Sequence, residues 1–290
     1  MITLENKFIE VRLTKLGAEL TKIYSKETKL NYLWNGDATF WKRHAPILFP
    51  IVGKLKDNTY KINDEFYKLP QHGFARDLEF SIVNKTTSKI TFELSYSKET
   101  LINYPFKFTL LVSYELKKNQ VLVNYKVINV DDTTIFFSIG AHPAFNCPLV
   151  KGTSFNDYYL EFEKAENPTQ LFLNPQTGFR NNISKTINLE KQIDLSYDLF
   201  KNDALMFEGI ESKKVSLKSK KHNHGIHLHI PNWKYLAFWT KKTGTPFICF
   251  EPWMGIADNE NTDQVYSTKK GILELPLNKT YENEYRFEVF

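Results

Sequence analysis

The sequence predicts an all-β protein, a large antiparallel β-sandwich with few short helices. Three observations predict it. Apolar and polar residues alternate with a period of two along most of the chain, the pattern of strands with one buried face. Turn-forming clusters separate these runs about every ten residues, as in sandwiches and barrels. Helical spacing is confined to two short segments.

The elements follow in chain order. FIEVRL places Ile9, Val11 and Leu13 on one face, and KITFELSY does the same with Ile90, Phe92, Leu94 and Tyr96. KETLINYP, near 98–105, is the first candidate helix. FKFTLLVSYELKKNQVLVNYKVINV makes two long strands around the turn KKNQ, an antiparallel hairpin. IDLSYDLFKND, near 193–203, is the second candidate helix. GIHLHI, YLAFWT, PFICFEPW, GILELPL and YRFEVF complete the strands. Polar connections at 147–158, 165–187 and 256–270 are rich in Asn, Thr, Asp and Pro, and loops of this kind often rim a binding cleft. No internal repeat or linker divides the chain, so one domain over residues 1–290 is expected.

Bulk composition narrows the function classes. The 290 residues are 42% hydrophobic, 15% aromatic and 24% charged, values typical of a globular protein with a sizeable core. No apolar run approaches the roughly 20 residues that span a bilayer. The start, MITLENKFIEVRL, lacks a basic stretch followed by an apolar one, so no membrane partner and a cytoplasmic address are expected. The net charge of +5 is mild, with lysines scattered along strand faces. The densest run, SKKVSLKSKKHNH at 212–224, is a weak nucleic-acid signal, and no nucleic-acid partner is expected. Only five of 38 basic residues are Arg, which singles out Arg12, Arg43, Arg76, Arg180 and Arg286 as candidates for bidentate contacts. Cys147 and Cys249 are expected as free thiols.

Four stretches can carry chemistry. In FFSIGAHPAFNCP, residues 136–148, one strand face holds Phe136, Ser138, Gly140 and His142. The small residues beyond Phe136 leave His142 looking onto open space. In PFICFEPWMG, 246–255, Phe247, Cys249 and Glu251 share a face. Glu251 closes an otherwise apolar strand, and burial beside aromatic rings raises a carboxyl pKa toward that of a base useful near neutrality. In QHGFARDLEF, 71–80, an extended chain projects His72, Phe74 and Arg76 together, with Gly73 permitting close backbone approach. In FWKRHAPILFPIVGK, 40–54, Arg43 and His44 precede an apolar strand. Each stretch alone also fits a strand end or surface decoration. The run KKHNHGIHLHI brings His222, His224, His227 and His229 close in sequence, but no Cys or acidic residue flanks it, and a solvated strand face is preferred to a metal site.

Taken in order, WKRHAPILFPIVGK, QHGFARD, IGAHPAFNCP, DALMF, YLAFWT and ICFEPWMG resemble the aldose 1-epimerase (galactose mutarotase-like) family, in its bacterial LacX-like branch. The resemblance covers nearly the whole chain. It implies a β-supersandwich with a sugar cleft, His142 as general acid and Glu251 as general base. Arg43, His72 and Asp203 match further site positions that hold the sugar hydroxyls. Two departures stand out. HGFAR replaces a glycine-rich form and is similar to that of hexose-6-phosphate 1-epimerases, and EPW replaces an E-P-Q/T form. Arg76 with Arg43, and Lys54 beside them, then become candidate phosphate ligands.

The resemblance implies interconversion of the α and β anomers of a hexose by ring opening, with no metal and no organic cofactor. The partner would be a small sugar or sugar phosphate, and the protein a monomer or homodimer. Three alternatives stay open: a hexose-6-phosphate 1-epimerase, a non-catalytic sugar-binding or sensing protein, and a glycoside hydrolase. The last requires two carboxyl groups about 5–9.5 Å apart, and Glu251 lacks an evident acidic partner.

Overall fold

The computed structural model describes residues 1–290 and contains 24 strands, one α-helix and four short 3₁₀ turns. Two large antiparallel sheets dominate. The nine-stranded sheet runs Gln192–Asp194, Tyr158–Phe162, Lys214–Ser219, Ile226–His229, Thr280–Val289, Gln120–Asn129, Phe108–Lys117, Lys89–Ser95, Ser81–Lys85. The eight-stranded sheet runs Arg180–Thr186, Thr169–Leu173, Leu205–Glu208, Tyr235–Trp239, Phe247–Trp253, Gly140–Ala141, Ile47–Leu48, with Ala144–Asn146 also pairing Phe247–Trp253. The expected hairpin is present, Lys117 opposite Gln120. Its strands alternate buried and half-buried residues over ten positions each, which fixes their register because a one-residue slip would turn the apolar set outward.

The main core lies between the sheets. Phe250 from one meets Phe145 edge-on, and Phe145 meets Phe287 of the other at 5.1 Å. Sixty buried side chains join this cluster. The strand Phe247–Trp253 is buried on both faces: Ile248 and Phe250 enter the main core, while Phe247 and Cys249 pack with Trp34 and Ala144 on the other side. That explains its nearly unbroken apolar sequence. Glu251 is the one ionisable carboxyl within it.

Several local expectations change. Residues 136–148 are divided among three short strands, Ile135–Phe137, Gly140–Ala141 and Ala144–Asn146, the last two separated at Pro143, which cannot donate a ladder hydrogen bond. Residues 71–80 are not extended: His72 and Gly73 have φ of 67° and 71°, followed by a 3₁₀ turn at Ala75–Asp77. The Phe49 carbonyl accepts from both Phe74 and Ala75 N–H. A Cβ on Gly73 would lie 2.2 Å from that oxygen, so glycine is required for this approach, as the sequence suggests. The apolar strand after His44 shortens to Ile47–Leu48. The connection 165–187 contains the strand Thr169–Leu173 and the edge strand Arg180–Thr186, the latter hidden from pattern reading because 182–186 are exposed.

Of the two candidate helices, Lys98–Asn103 is α-helical, capped by Ser97 and Thr100 in a reciprocal pair of hydrogen bonds. The other is a single 3₁₀ turn, Tyr197–Phe200, after a short strand. No helix is long and apolar enough to cross a membrane.

Candidate active site

The outer face of the eight-stranded sheet carries a cleft of about 540 Å³. All six residues named from the sequence line it: Arg43, His72, Arg76, His142, Asp203 and Glu251. They come from five separate segments. Glu251 and His142 are placed by the paired strands, since Ala144 lies opposite Cys249 and Gly140 opposite Trp253. His142 Nε2 lies 3.0 Å from Glu251 Oε2. No hydrogen bond joins them: neither carboxylate oxygen has a donor, and His142 Nδ1 also lacks a partner.

His142 does look onto the cleft, but the reason read from the sequence, its small neighbours, needs correction. Gly140 makes room for Trp253, whose ring would lie 2.6 Å from a Cβ there, and Ser138 Oγ accepts the Val52 N–H. The small residues are packing choices. His142 is itself walled by Trp41, stacked at 5.0 Å, and by Trp239, edge-on at 5.7 Å. His72 meets it edge-on at 5.7 Å.

Electrostatics follow from this burial. Glu251 is 1% exposed. Loss of water pushes its carboxyl well above the usual range, and the charge of Asp203 adds to the effect. Burial likewise pulls the His142 imidazole down to about 3, aided by Arg76 and Arg43. Both shifts favour the uncharged pair. His72 is also held well below its ordinary value by burial, then by His142. Its Nδ1 accepts the Gly53 N–H at 3.1 Å, which assigns the remaining proton to Nε2.

These shifts make a stability prediction. Glu251 keeps a proton in the folded state that the unfolded chain releases above about 4.5, so its penalty is absent at low pH and grows as pH rises toward the folded value. Glu251→Gln should therefore stabilise the protein at pH 7 relative to wild type, and by less at pH 4. His142 works in the opposite window: the unfolded imidazole binds a proton below 6.5 while the folded one resists until about 3. The stabilising effect of His142→Asn should grow as pH falls through that window. Melting differences that are flat with pH would remove this account.

The basic residues are partly engaged. Arg43 Nη2 donates to Asp77 Oδ1 at 2.8 Å, and Arg76 Nη2 donates to the Gln71 carbonyl. Burial, with the neighbouring Arg43 charge, lowers Arg76 to about 10, and its Nε makes no hydrogen bond but lies 3.8 Å from Asp77 Oδ2. Lys54 donates to the Thr177 carbonyl at 2.8 Å and lies over the Phe179 ring, holding the rim at 174–179 against the cleft. Asp203 adopts φ of 80°, a left-handed conformation that Asp tolerates better than most residues. Its Oδ1 accepts the Ala204 N–H.

Sequence reading missed Trp41 and Trp239. Nothing separates them from other core aromatics until the sheet is assembled. His44 stays outside the cleft, its backbone N–H bound by Glu19. The histidine run disperses: His222 contacts Tyr158, His227 contacts Ser216, and His229 lies 3.3 Å from Glu288. An acidic partner therefore does exist there, supplied by a strand distant in sequence. His227 and His229 share a strand face as expected, half-buried, with Ile226 and Leu228 buried behind.

Comparison with known proteins decides the lineage. The model of the family described as aldose 1-epimerase matches residues 1–267. The chain belongs to the aldose 1-epimerase family. Two Lactococcus lactis subsp. lactis relatives, the chromosomal and plasmid forms of Protein LacX, are 35% and 34% identical over 293 residues, covering 97% of this chain and 98% of theirs. A galactose mutarotase related enzyme from Lactobacillus acidophilus superposes with a TM-score of 0.96 at 33% identity, covering 100% of this chain and 97% of its own. A galactose mutarotase-like protein from Lactobacillus casei ATCC 334 gives 0.92 at 36% identity, with 100% of both chains covered. The sandwich is thus the galactose mutarotase-like fold.

Proposed function

We propose that this aldose 1-epimerase family member, acting as one domain across residues 1–290, interconverts the α and β anomers of a hexose. The observation that carries the reading is the contact between a buried carboxyl and a buried imidazole at 3.0 Å, with both Glu251 oxygens and His142 Nδ1 lacking hydrogen-bond partners, in the lining of the cleft. Starting from the form of the pair in which the Glu251 proton has passed to the imidazole, Glu251 takes the proton from O1 as His142 delivers one to the ring oxygen O5, and the C1–O5 bond breaks. The open aldehyde turns about C1–C2. The steps then reverse on the other face, returning both protons. After ring opening Glu251 is protonated and His142 neutral, the charge state that burial favours, so the dry site is matched to the open-chain intermediate. Each proton-transfer partner typically contributes about 10²–10⁴-fold.

In this reading His72 donates from Nε2, while Arg43 and Asp203 hold hydroxyls. Trp41 and Trp239 exclude water and fix the imidazole plane. Asp203 shares the cleft with Glu251, which supplies the acidic neighbour that the sequence alone did not reveal. It also calls for its own assay with an aryl glycoside, whose hydrolysis would replace the epimerase reading with a glycosidase one.

Arg76 favours a second reading of the substrate. It sits beside Arg43, its Nε without a hydrogen bond and 3.8 Å from Asp77 Oδ2, in a cleft that also holds Lys54. Two guanidiniums and an ammonium suit a 6-phosphate. Anomer-exchange NMR on free hexoses and their 6-phosphates tests both versions. With a phosphate site, 6-phosphosugars exchange faster and lose that preference as salt rises. Equal or faster exchange of free glucose or galactose assigns the arginines to hydroxyls, and exchange no faster than buffer for every sugar leaves only a binding protein.

A further inference from the structure

Cys249 has no part in the exchange described above, yet it sits against the two groups that do. It precedes Glu251 by two residues, so their side chains leave the strand on the same face. Its Sγ, a nitrogen of His142 and an oxygen of Glu251 all lie within 4.8 Å of one another. No other group of three His, Cys, Asp or Glu residues in the chain meets in this way. All three side chains are at least nine-tenths buried as residues, at 0%, 9% and 1% exposure. Both Glu251 oxygens and His142 Nδ1 lack hydrogen-bond partners.

We infer that His142, Cys249 and Glu251 form a site for a zinc-class divalent cation, which blocks the cleft instead of serving it. The donor set is one imidazole, one thiolate and one carboxylate, the mixture that suits a borderline-soft ion. Tetrahedral zinc, with bonds of about 2.0–2.3 Å, sets its ligand atoms about 3.3–3.7 Å apart. His142 and Glu251 would separate by a few tenths of an ångström, and the sulfur would close by about 1 Å at most. The cleft provides the fourth position, open to water. Binding releases the Cys249 thiol proton and the Glu251 carboxyl proton to solvent, and occupies the imidazole nitrogen and carboxylate oxygen between which a sugar must exchange its protons. The ion and the sugar therefore compete. The metal site stands on geometry alone; its inhibitory consequence rests on the proposed exchange reaction.

The test uses the tag-free full chain. Titration with Co²⁺ should give a thiolate-to-cobalt charge-transfer band at one equivalent, which Zn²⁺ then bleaches. Cys147→Ala should keep the band, and Cys249→Ala should lose it. In metal-free buffer Cys249→Ala should retain anomer exchange, and half-inhibition should require at least about tenfold more zinc than in wild type, the lower range for disturbing a metal site. Should the alanine variant fold poorly, X-ray absorption of the zinc-loaded wild type decides: one sulfur and two lighter protein ligands are expected. A missing band at saturating cobalt, or a band that persists in Cys249→Ala, overturns the site. If wild type exchanges no sugar, the exchange proposal fails while the cobalt band still decides this one.

Discussion

Glu251→Gln should cut catalysed anomer exchange by at least about 10²-fold, the low end for losing a general base. The amide keeps the volume and can still hydrogen-bond O1, but it cannot accept the proton. Sugar affinity should accordingly stay within about tenfold of wild type, or 1.4 kcal/mol. His142→Asn should show the same pattern, since Glu251 and His142 act at 3.0 Å on one relay. The double variant should be barely worse than either single one, because groups that act as a unit are strongly non-additive. Exchange NMR and calorimetric binding, run on the same variants, separate the two effects. Survival of exchange in Glu251→Gln would mean the base is misassigned, and Asp203 in the same cleft becomes the replacement. A large loss of binding in parallel would instead make Glu251 a sugar ligand.

Lys269→Met should destabilise the protein by roughly 3–5 kcal/mol, the usual cost of leaving one member of a buried ion pair alone. Lys269 Nζ lies 2.9 Å from Asp258 Oδ1, with side chains 6% and 3% exposed. Burial lowers the Lys269 pKa, and the Asp258 charge opposes that shift. The pair anchors the segment that leaves the Glu251 strand: Lys269 also donates to the Ile256 carbonyl, and Asp258 Oδ2 accepts the Lys56 N–H. Arg180 Nε adds a bond to the Ala257 carbonyl, beside the cleft. For a chain of this length the melting midpoint should fall by about 5–8 °C. Lys269→Met with Asp258→Asn should recover much of the loss, since the stranded charge is gone while the amide oxygen still accepts from Lys56. A single variant within about 1 kcal/mol of wild type in denaturant titration would show that Asp258 is satisfied without its lysine.

The candidate site was more legible in the sequence than its local backbone. His72 and Arg76 reach the cleft although the chain between them is a left-handed bend and a 3₁₀ turn instead of the expected strand. The motif identifies the residues, whereas the turn depends on the Phe49 carbonyl, which belongs to another segment. The strands within 165–187 were hidden for a related reason. The edge strand Arg180–Thr186 is mostly polar and exposed, so no alternation marks it, and it is a strand only by pairing with Thr169–Leu173, which in turn pairs with Leu205–Glu208.

By itself the sequence determined the sandwich, the hairpin at Lys117–Gln120, and the six polar side chains of the cleft, because a period of two assigns each strand a buried face and the motifs are local. Only the tertiary structure decided what those side chains meet. The 3.0 Å approach of His142 to Glu251, the walls of Trp41 and Trp239, and the thiol of Cys249 beside the pair all join segments far apart in the chain. Such contacts follow from which strands become neighbours when the sheet closes over its core. Burial then sets the protonation of the pair, since desolvation depends on what surrounds a group and not on what precedes it in sequence.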